Sequence, residues 1–327
     1  MMHIDRQRYL EVVPLKQVVE NDLLRLPNVT GVDVGYKEIG GEQTNEMAIL
    51  VFVREKGNFD EPDRIPARIQ HVRTDVIEAV FTPSTTRSRT SELSDVRLDP
   101  NRYDPLVGGC STAPARITDA YGTVGIPVRD NATGQQRVLS CWHVFCDDPN
   151  WEHLDHRITQ PAIILGGRTA TDTIGSVVAA KLGQIVINFG YDLYVDCAVC
   201  DVTMRPAVPK IIHIGALQGT RTPIVGELVR KYGATTEDTF GLVQSTNFTT
   251  RVDYPGIGIV TFYYQYRITP PNLTMPSFSR GGDSGSIVVD TENRALGMVF
   301  AGSEAMRYTA ANPMYMVLGA LNISLDI

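Results

Sequence analysis

Within the first 54 residues the spacing of hydrophobic residues changes from a helical period to the alternation of strands. Across residues 9–26 apolar side chains recur every three or four positions, the spacing of one helix face, and Pro27 ends the pattern. Val29–Ile39 and Met47–Arg54 then alternate apolar with polar residues as strands do. Gly40-Gly41 between them predicts a hairpin turn, so this part of the chain reads as one helix followed by two paired strands.

A polar stretch separates this beginning from the rest of the chain. Val72–Phe81 predicts one more strand and completes a small α+β unit over residues 1–81. Residues 82–104 are rich in Ser, Thr and Arg without periodicity, which predicts an exposed linker. From residue 105 to 327, short β-type runs alternate with Gly, Pro, Asn and Asp clusters, and helical periodicity returns only at 316–321. The expected fold is therefore mainly β, a sandwich or barrel, with a small N-terminal α+β domain.

Composition excludes several function classes. With 43% hydrophobic and 20% charged residues, the 327-residue chain has the make-up of a soluble globular protein. A net charge of −7 argues against a nucleic-acid partner, since a protein that binds nucleic acid carries a basic patch on its surface. No window approaches the roughly 18 apolar residues of a membrane span, and the start lacks the apolar core of a secretory signal. We therefore expect a cytoplasmic protein that binds neither membrane nor nucleic acid.

Residues 281–286, Gly-Gly-Asp-Ser-Gly-Ser, place a hydroxyl among flexible glycines. Acyl transfer needs a hydroxyl beside backbone N–H groups that can receive a developing oxyanion, and glycine allows the main chain to present them. In this interpretation Ser284 is the nucleophile, and the amides of Gly282 and Ser284 form the oxyanion hole. A tight hairpin without chemistry is the alternative.

Two further polar residues stand in apolar surroundings. The run 138–145 predicts a buried strand that ends at His143. His143 is a candidate general base held on a rigid element, and the alternative is a core histidine whose two ring nitrogens are both hydrogen-bonded. Asp196 enters another apolar strand, where a carboxylate is costly to bury unless it is paired. A histidine N–H would pair it and would fix the tautomer that leaves the other ring nitrogen free. The competing carboxylates are Asp192, Asp201 and Asp155.

The order His143, Asp196, Ser284 is the order of the chymotrypsin-like proteases. With these residues, the sequence resembles the disulfide-poor, trypsin-like serine proteases found as intracellular bacterial proteins and in the plant narrow-leaf proteins. The likeness covers most of residues 105–302 and rests on the motifs Pro105-Leu-Val-Gly-Gly109, Tyr121-Gly-Thr-Val-Gly125, Leu139-Ser-Cys-Trp-His-Val144, Gln160-Pro161 with Asp172-Thr-Ile-Gly175, and Val229-Arg-Lys-Tyr-Gly-Ala-Thr-Thr236.

The resemblance implies a chymotrypsin-like double β-barrel over residues 105–327 that cleaves protein or peptide substrates without metal or organic cofactor. It also implies a primary specificity pocket, with candidates Phe278, Ser279, Phe300 and Gly302. No acid stands at the pocket base, so we expect a small or apolar substrate side chain there.

The chain departs from the family pattern at two positions. In the family's histidine motif an asparagine usually stands two residues before the histidine, and this chain has Cys141 there. A glycine usually follows the two consecutive threonines, and this chain has Glu237 after Thr236. The first departure changes the surroundings of the base, and the second changes a turn near the nucleophile.

The five cysteines do not form a disulfide pattern, since their number is odd and no secretory signal is seen. A Cys141–Cys146 disulfide and a zinc site that also includes Cys197 and Cys200 are the alternatives to buried thiols, which we favour. A second metal-like group, His153 and His156 with Glu152 and Asp155, is better explained as a solvated loop. The aromatic run 262–266 predicts a strand, with a peptide-binding surface as the alternative.

Regulation leaves two hypotheses. Leu106–Gly109 resembles the N-terminus that cleavage frees in secreted relatives, where it pairs with the acid before the nucleophile, here Asp283. Asp104-Pro105, however, is no site for a trypsin-like activator. Either Asp283 finds an internal cation such as Arg280, or the N-terminal domain holds the enzyme latent until a partner moves it. Another protease could also cut the linker at Arg87 or Arg89.

The sequence thus predicts a bacterial serine endopeptidase, with defence or cell death as a candidate role. A catalytically silent trypsin-fold module that binds peptides or serves as a scaffold is the alternative.

Overall fold

The computed structural model describes residues 4–40, 42–57, 63–83, 86–87, 99–187, 192–272 and 274–327. Its helices are α1 (Arg6–Arg25), α2 (Trp142–Phe145), α3 (Thr169–Asp172) and α4 (Met314–Leu321), with 3-10 turns at Trp151–His153 and Ile163–Leu165. Its strands are β1 (Val29–Ile39), β2 (Glu42–Val53), β3 (Arg68–Ile69), β4 (Val72–Glu78), β5 (Thr82–Pro83), β6 (Thr86–Arg87), β7 (Leu106–Gly108), β8 (Ser111–Pro114), β9 (Ala120–Thr123), β10 (Ile126–Asp130), β11 (Gln136–Ser140), β12 (Arg157–Thr159), β13 (Thr173–Val186), β14 (Asp192–Asp201), β15 (Ala207–Ile211), β16 (Gly215–Ala216), β17 (Leu228–Gly233), β18 (Glu237–Tyr254), β19 (Gly258–Thr269), β20 (Ile287–Val289), β21 (Ala295–Ser303), β22 (Tyr308–Pro313) and β23 (Ile323–Leu325).

Six strands of the C-terminal half close into a barrel. They pair in the order β17-β20-β21-β22-β19-β18, and β18 pairs again with β17. The glycine-rich segment 281–286 lies in the connection from β19 to β20. The candidate nucleophile therefore belongs to this second barrel.

A nine-stranded sheet carries the other two candidate residues. Its order is β23-β10-β11-β14-β13-β12-β8-β9-β6. His143 follows β11, and Asp196 lies within β14, the neighbour of β11 in this sheet. The fold is thus mainly β with a small N-terminal α+β region, as predicted. The candidate base and the candidate acid come from the sheet that does not carry the serine.

The N-terminal strands extend the C-terminal sheet. β1 pairs antiparallel with β18 at Gly31 and Val32, and β1-β2-β4-β3 continue the same sheet outward. The first eight residues of β1 are buried, as in a strand that is covered on both faces. One of those faces packs on α1 through an apolar cluster that includes Tyr9, Leu23 and Val32.

A buried ion pair and a buried hydrogen bond join this region to the barrel. Asp33 of β1 accepts a 2.6 Å hydrogen bond from Arg267 of β19. Lys16 of α1 pairs with Glu20 and donates to the Thr249 hydroxyl of β18 at 2.7 Å. Since removing one member of a buried ion pair is costly, the Asp33–Arg267 pair contributes to holding β1 against the second barrel.

Several predicted elements are confirmed with small shifts. The first helix begins at Arg6 and contains Pro14, the helix expected at 316–321 begins at Met314, and the aromatic run 262–266 lies inside β19. Gly41 of the expected hairpin lies outside the described residues. None of the helices in the described ranges is long and apolar enough to cross a membrane.

The stretch interpreted as an exposed linker differs where it is described. Thr82–Pro83 and Thr86–Arg87 are short strands, each paired to one of the two large sheets. The Arg87 side chain and Arg89 lie outside what the structure describes.

Candidate active site

His143 lies on a helical turn and not at the end of a strand. β11 stops at Ser140, and Trp142–Phe145 form the single turn α2, which corrects the strand predicted for 138–145. An apolar run of this length fits a strand or a buried helical turn equally well, so periodicity could not separate them. The turn aims the imidazole at β14.

Asp196 is fully buried in the middle of β14 and holds His143 through two hydrogen bonds. The Nδ1 atom of His143 lies 2.5 Å from one carboxylate oxygen of Asp196, and the His143 amide donates to the other oxygen at 3.2 Å. The Tyr254 hydroxyl donates to the first oxygen at 2.6 Å. These contacts fix the histidine ring and compensate the buried carboxylate.

Sequence reasoning did not identify Tyr254 or Asn312, which complete the surroundings of the acid. Asn312 accepts from the Asp196 amide at 2.9 Å and donates to Gln265 at 2.7 Å. Burial and the neighbouring Asp196 raise the pKa of Tyr254, so its hydroxyl remains a donor. Neither residue has a motif around it that could have pointed to this role.

The second ring nitrogen of His143 is available. Nε2 is buried and has no hydrogen-bond partner among the described residues. Since Nδ1 faces the Asp196 carboxylate and so carries the proton, Nε2 has its lone pair free. The pair is therefore arranged as a proton acceptor.

Ser284 is fully buried, and its hydroxyl is not hydrogen-bonded to His143 in the described part of the chain. Oγ donates instead to the Phe300 carbonyl oxygen at 3.2 Å. One carbonyl nevertheless links the two motifs: Val299 O accepts from Cys141 Sγ at 3.2 Å and from the Gly285 amide at 2.8 Å. The structure thus brings the serine loop and the histidine turn together, while the Ser284 hydroxyl is bonded to the Phe300 carbonyl.

Two glycines of the serine loop cannot carry a side chain. Gly282 has a φ of +92°, and a Cβ there would collide with Thr235 and Tyr121. Gly285 has a φ of +98°, and a Cβ would collide with the Thr123 carbonyl. No hydrogen bond from the amides of Gly282 or Ser284 is found within the described ranges. These two amides, predicted as the oxyanion hole, are therefore free to donate to a ligand.

Asp283 has an internal cation, which is Lys231. The Lys231 ammonium lies 3.5 Å from the Asp283 carboxylate, and both side chains are fully buried. Burial lowers the pKa of Lys231, and the charge of Asp283 opposes that shift. Arg280 contributes only its backbone amide, 2.9 Å from the carboxylate. Leu106 is buried in β7, with its amide bonded to Pro206 O at 2.8 Å.

Glu237 lies in a turn whose backbone conformation favours glycine. Glu237 has a φ of +52°, in the left-handed region that favours glycine. The preceding Thr235 and Thr236 donate their amides to Asp283 at 3.0 and 3.1 Å. The sequence departure therefore adds backbone strain without displacing the threonines that hold the serine loop.

A small pocket of about 60 Å³ opens beside the serine loop. Two of the four specificity candidates, Ser279 and Gly302, line it. Phe278 and Phe300 do not: Phe278 packs in the barrel core, and the Phe300 ring contacts Phe262 with 4.8 Å between centroids. The remaining lining residues are Thr82, Pro83, Arg280, Gly281, Ser303, Glu304 and Tyr308.

The competing acids and the cysteines have other surroundings. Asp192 accepts from Gln184, Asp201 from the Ser176 amide, and Asp155 pairs with Arg157, which lowers the pKa of Asp155 to about 2. All five cysteines are described, buried and free of disulfides, which rules out the Cys141–Cys146 pairing in this structure.

Cys141, His143 and Asp196 place one donor atom each within 4.8 Å of one another, the spacing of a metal site. The carboxylate of Asp196, however, is already occupied by His143 and Tyr254. Burial also raises the pKa of the Cys141 thiol, which keeps it protonated and a poor ligand. We therefore interpret the group as a histidine–carboxylate pair.

Comparison with known proteins gives structural similarities without a matching family model or a matching curated protein. Thermobifida fusca protease A is 20% identical, covers 67% of this chain and 97% of its own, and has a TM-score of 0.46. A glutamic acid-specific serine protease is 16% identical over 67% of this chain and 100% of its own, with a TM-score of 0.45. A chymotrypsin of Cellulomonas bogoriensis is 18% identical over 67% and 97%, with a TM-score of 0.40. These proteins are chymotrypsin- or trypsin-like serine proteases.

Proposed function

We propose that this chain is a serine endopeptidase with Ser284 as nucleophile, His143 as general base and Asp196 as the acid that orients it. One observation carries the proposal: a buried histidine, held at Nδ1 by a buried carboxylate, has its Nε2 free. A structural histidine in a core would be satisfied at both nitrogens.

The first chemical step requires a rotation of the Ser284 side chain. Leaving the Phe300 carbonyl costs one hydrogen bond, about 0.5–1.5 kcal/mol, and the new bond to His143 Nε2 offsets it. Oγ then attacks the scissile carbonyl carbon while Nε2 takes the proton. His143 next gives that proton to the departing amine, and the C–N bond breaks.

The oxyanion is received by the amides of Gly282 and Ser284 in this proposal. Removing one such donor typically costs 10²–10³ in rate. Water then attacks the acyl-enzyme with His143 again as base, which releases the acid product and restores the serine hydroxyl. We propose substrates with a small side chain at the primary pocket, because the pocket beside the serine loop has a volume of only about 60 Å³.

The alternative is a catalytically silent module that binds peptides. It is favoured by the position of Ser284, which is buried and bonded to Phe300 O instead of His143. We further propose a cytoplasmic protein, because five buried free thiols suit a reducing compartment. A bacterial origin rests on the sequence resemblance alone and stays a prediction. A role in defence or cell death stays a prediction.

A small activated ester separates these functions, since it can reach Ser284 without an extended binding site. We expect the full chain to give a burst of one p-nitrophenol per molecule from p-nitrophenyl acetate, with the acetyl group mapped to Ser284 by peptide mass spectrometry. Ser284→Ala should lose the burst. Acetylation at other residues only, with wild type and Ser284→Ala indistinguishable, would favour the silent module.

A further inference from the structure

Two strand edges flank Ser284, and residues of this same chain pair with both. Thr82–Pro83 run antiparallel to β21, with Thr82 opposite Gly302 and Pro83 opposite Ala301. Thr86–Arg87 run antiparallel to β9, with Thr86 opposite Tyr121 and Arg87 opposite Ala120. We call these four residues the cleft segment.

Ser284 lies between the two edges. Its hydroxyl donates to the carbonyl of Phe300, the residue before Ala301 on β21. Its carbonyl accepts from the amide of Thr123, at the end of β9, at 2.8 Å. Pro83 and Thr86 are three residues apart in sequence, so their Cα atoms are separated by at most about 11 Å. A single short peptide therefore reaches from one edge to the other.

The cleft segment is anchored where it begins. The ring of Phe81 lies 5.5 Å from Phe52, 4.9 Å from Phe248 and 6.4 Å from Tyr308, centroid to centroid. Phe81 is buried, and Tyr308 and Pro83 both line the small pocket. This aromatic cluster fixes Thr82 and Pro83 at the pocket mouth.

We propose that the cleft segment is a tethered peptide ligand of the candidate active site and lies where an extended substrate would bind. The inference rests on the proposed function and names both the mode of substrate binding and its control. Strand pairing uses main-chain groups, so an incoming peptide can take the same edges once the segment has left. The burial of Ser284 and His143, 0% and 4% exposed, is consistent with an occupied cleft.

A tethered ligand competes at high effective concentration. Short flexible linkers give values in the millimolar range, so a tethered segment whose intrinsic dissociation constant is near 100 μM weakens the binding of a free peptide about tenfold. Peptides offered to the unaltered chain should therefore bind at least this much more weakly than to a chain without the segment.

The first test measures binding in Ser284→Ala, so that no chemistry intervenes. The probe is a fluorescent peptide with the sequence of residues 80–89, and the readout is anisotropy. We expect the probe to bind at least tenfold more tightly when residues 82–87 are replaced by a six-residue Gly/Ser linker. Equal binding to both chains, or binding of a scrambled peptide as well as the probe, overturns the proposal, and so does no binding at millimolar probe.

Because the linker replacement removes six residues at once, a second pair of variants tests the pairing itself. Thr86→Pro with Arg87→Pro removes both backbone donors, so whichever residue donates to β9 loses its bond. Thr86→Ala with Arg87→Ala keeps the backbone and serves as the matched control. The proline pair should bind the probe more tightly than the alanine pair, and equal affinity contradicts the inference.

Labelling by a fluorophosphonate separates failure of this inference from failure of the proposed function. With an intact nucleophile, faster labelling of Ser284 in the linker chain supports both. Equal labelling of the linker chain and wild type overturns the tethered ligand alone. Absence of label with the predicted difference in probe binding overturns the protease and leaves the ligand standing.

Discussion

Lys231→Met is expected to weaken both the fold and the reactivity of Ser284, because it leaves Asp283 as a buried charge without its cation. Removing one partner of a buried ion pair costs about 3–5 kcal/mol. Asp283 keeps four hydrogen bonds, from the Thr235, Thr236 and Arg280 amides and the Thr236 hydroxyl. These bonds stabilise the carboxylate, so we expect a loss of about 3 kcal/mol in unfolding free energy, at the low end of that range.

The same change should slow labelling of Ser284. Asp283 lies between Gly282 and Ser284, whose amides are the proposed oxyanion donors, and an unpaired carboxylate that moves toward solvent turns them away. Loss of one donor predicts a fluorophosphonate labelling rate that is 10²–10³-fold lower. Wild type and variant share the same cleft segment, so the ratio of their rates reports the oxyanion loop.

Lys16→Met is the matched control for Lys231→Met. Lys16 is also a fully buried lysine paired with a glutamate, Glu20, but it belongs to α1. It should lose stability in urea denaturation to a similar extent while labelling at the wild-type rate. The reasoning is refuted if both variants lose similar stability and Lys231→Met still labels like wild type. Lys231→Met combined with Asp283→Asn removes the uncompensated charge and should recover part of the stability. Recovery is not complete because one of the two acceptor oxygens is lost, while Asp283 accepts from the Thr235 and Thr236 amides through one oxygen and from the Arg280 amide through the other.

Three further outcomes are expected. Tyr254→Phe removes a buried hydrogen bond to Asp196 and should cost about 1.5–3 kcal/mol in unfolding free energy; a labelling rate and a stability both unchanged in kinetic and urea assays would show that the bond is unimportant. Glu237→Gly relieves a left-handed residue and should raise the urea midpoint by the equivalent of about 0.5–1 kcal/mol, whereas a lower midpoint would contradict the strain. Burial raises the pKa of all five thiols above their ordinary value of 9.0, so the unfolded chain loses their protons first and stability should fall as pH rises through 9. In that alkaline range Cys200→Ala should reduce the slope of stability by up to about 1.4 kcal/mol per pH unit, and an unchanged slope would count against the buried thiol.

Much of the fold could be predicted because its signals are local. The alternation of Val29–Ile39 predicted the bounds of β1, and the helical spacing over residues 9–26 predicted α1 to within three residues at its start and one at its end. The pairing of β1 with β18 could not be predicted. The two strands are more than two hundred residues apart, and the hydrophobic pattern of one strand does not identify its partner. The nearly unbroken burial of β1 is typical of a central strand. The polar Asp33 within it is explained by two partners that are distant in sequence, Arg267 and Ser245, which only the fold brings to it.

The candidate site divides in the same way. His143, Asp196 and Ser284 could be identified from the sequence because a polar group within an apolar or glycine-rich run is costly to bury and therefore indicates a partner or a function. Lys231 does not, because it follows Arg230 in a strand and only the fold shows which of the two is buried. The strands at Thr82–Pro83 and Thr86–Arg87 were also missed, since a Ser/Thr-rich sequence is typical of linkers. Whether such a segment pairs with a sheet depends on the free edge of the partner strand, which the segment's own sequence does not show.

Intact-mass labelling with a fluorophosphonate tests the proposed triad most directly, on the full chain and on the chain with the Gly/Ser linker at 82–87. We predict a single adduct at Ser284, none in Ser284→Ala, and a rate about 10⁴-fold lower in Asp196→Asn, which would leave His143 in the wrong tautomer. An adduct that forms equally fast in Asp196→Asn, or none in either chain while both remain folded, would contradict a His143–Asp196–Ser284 protease.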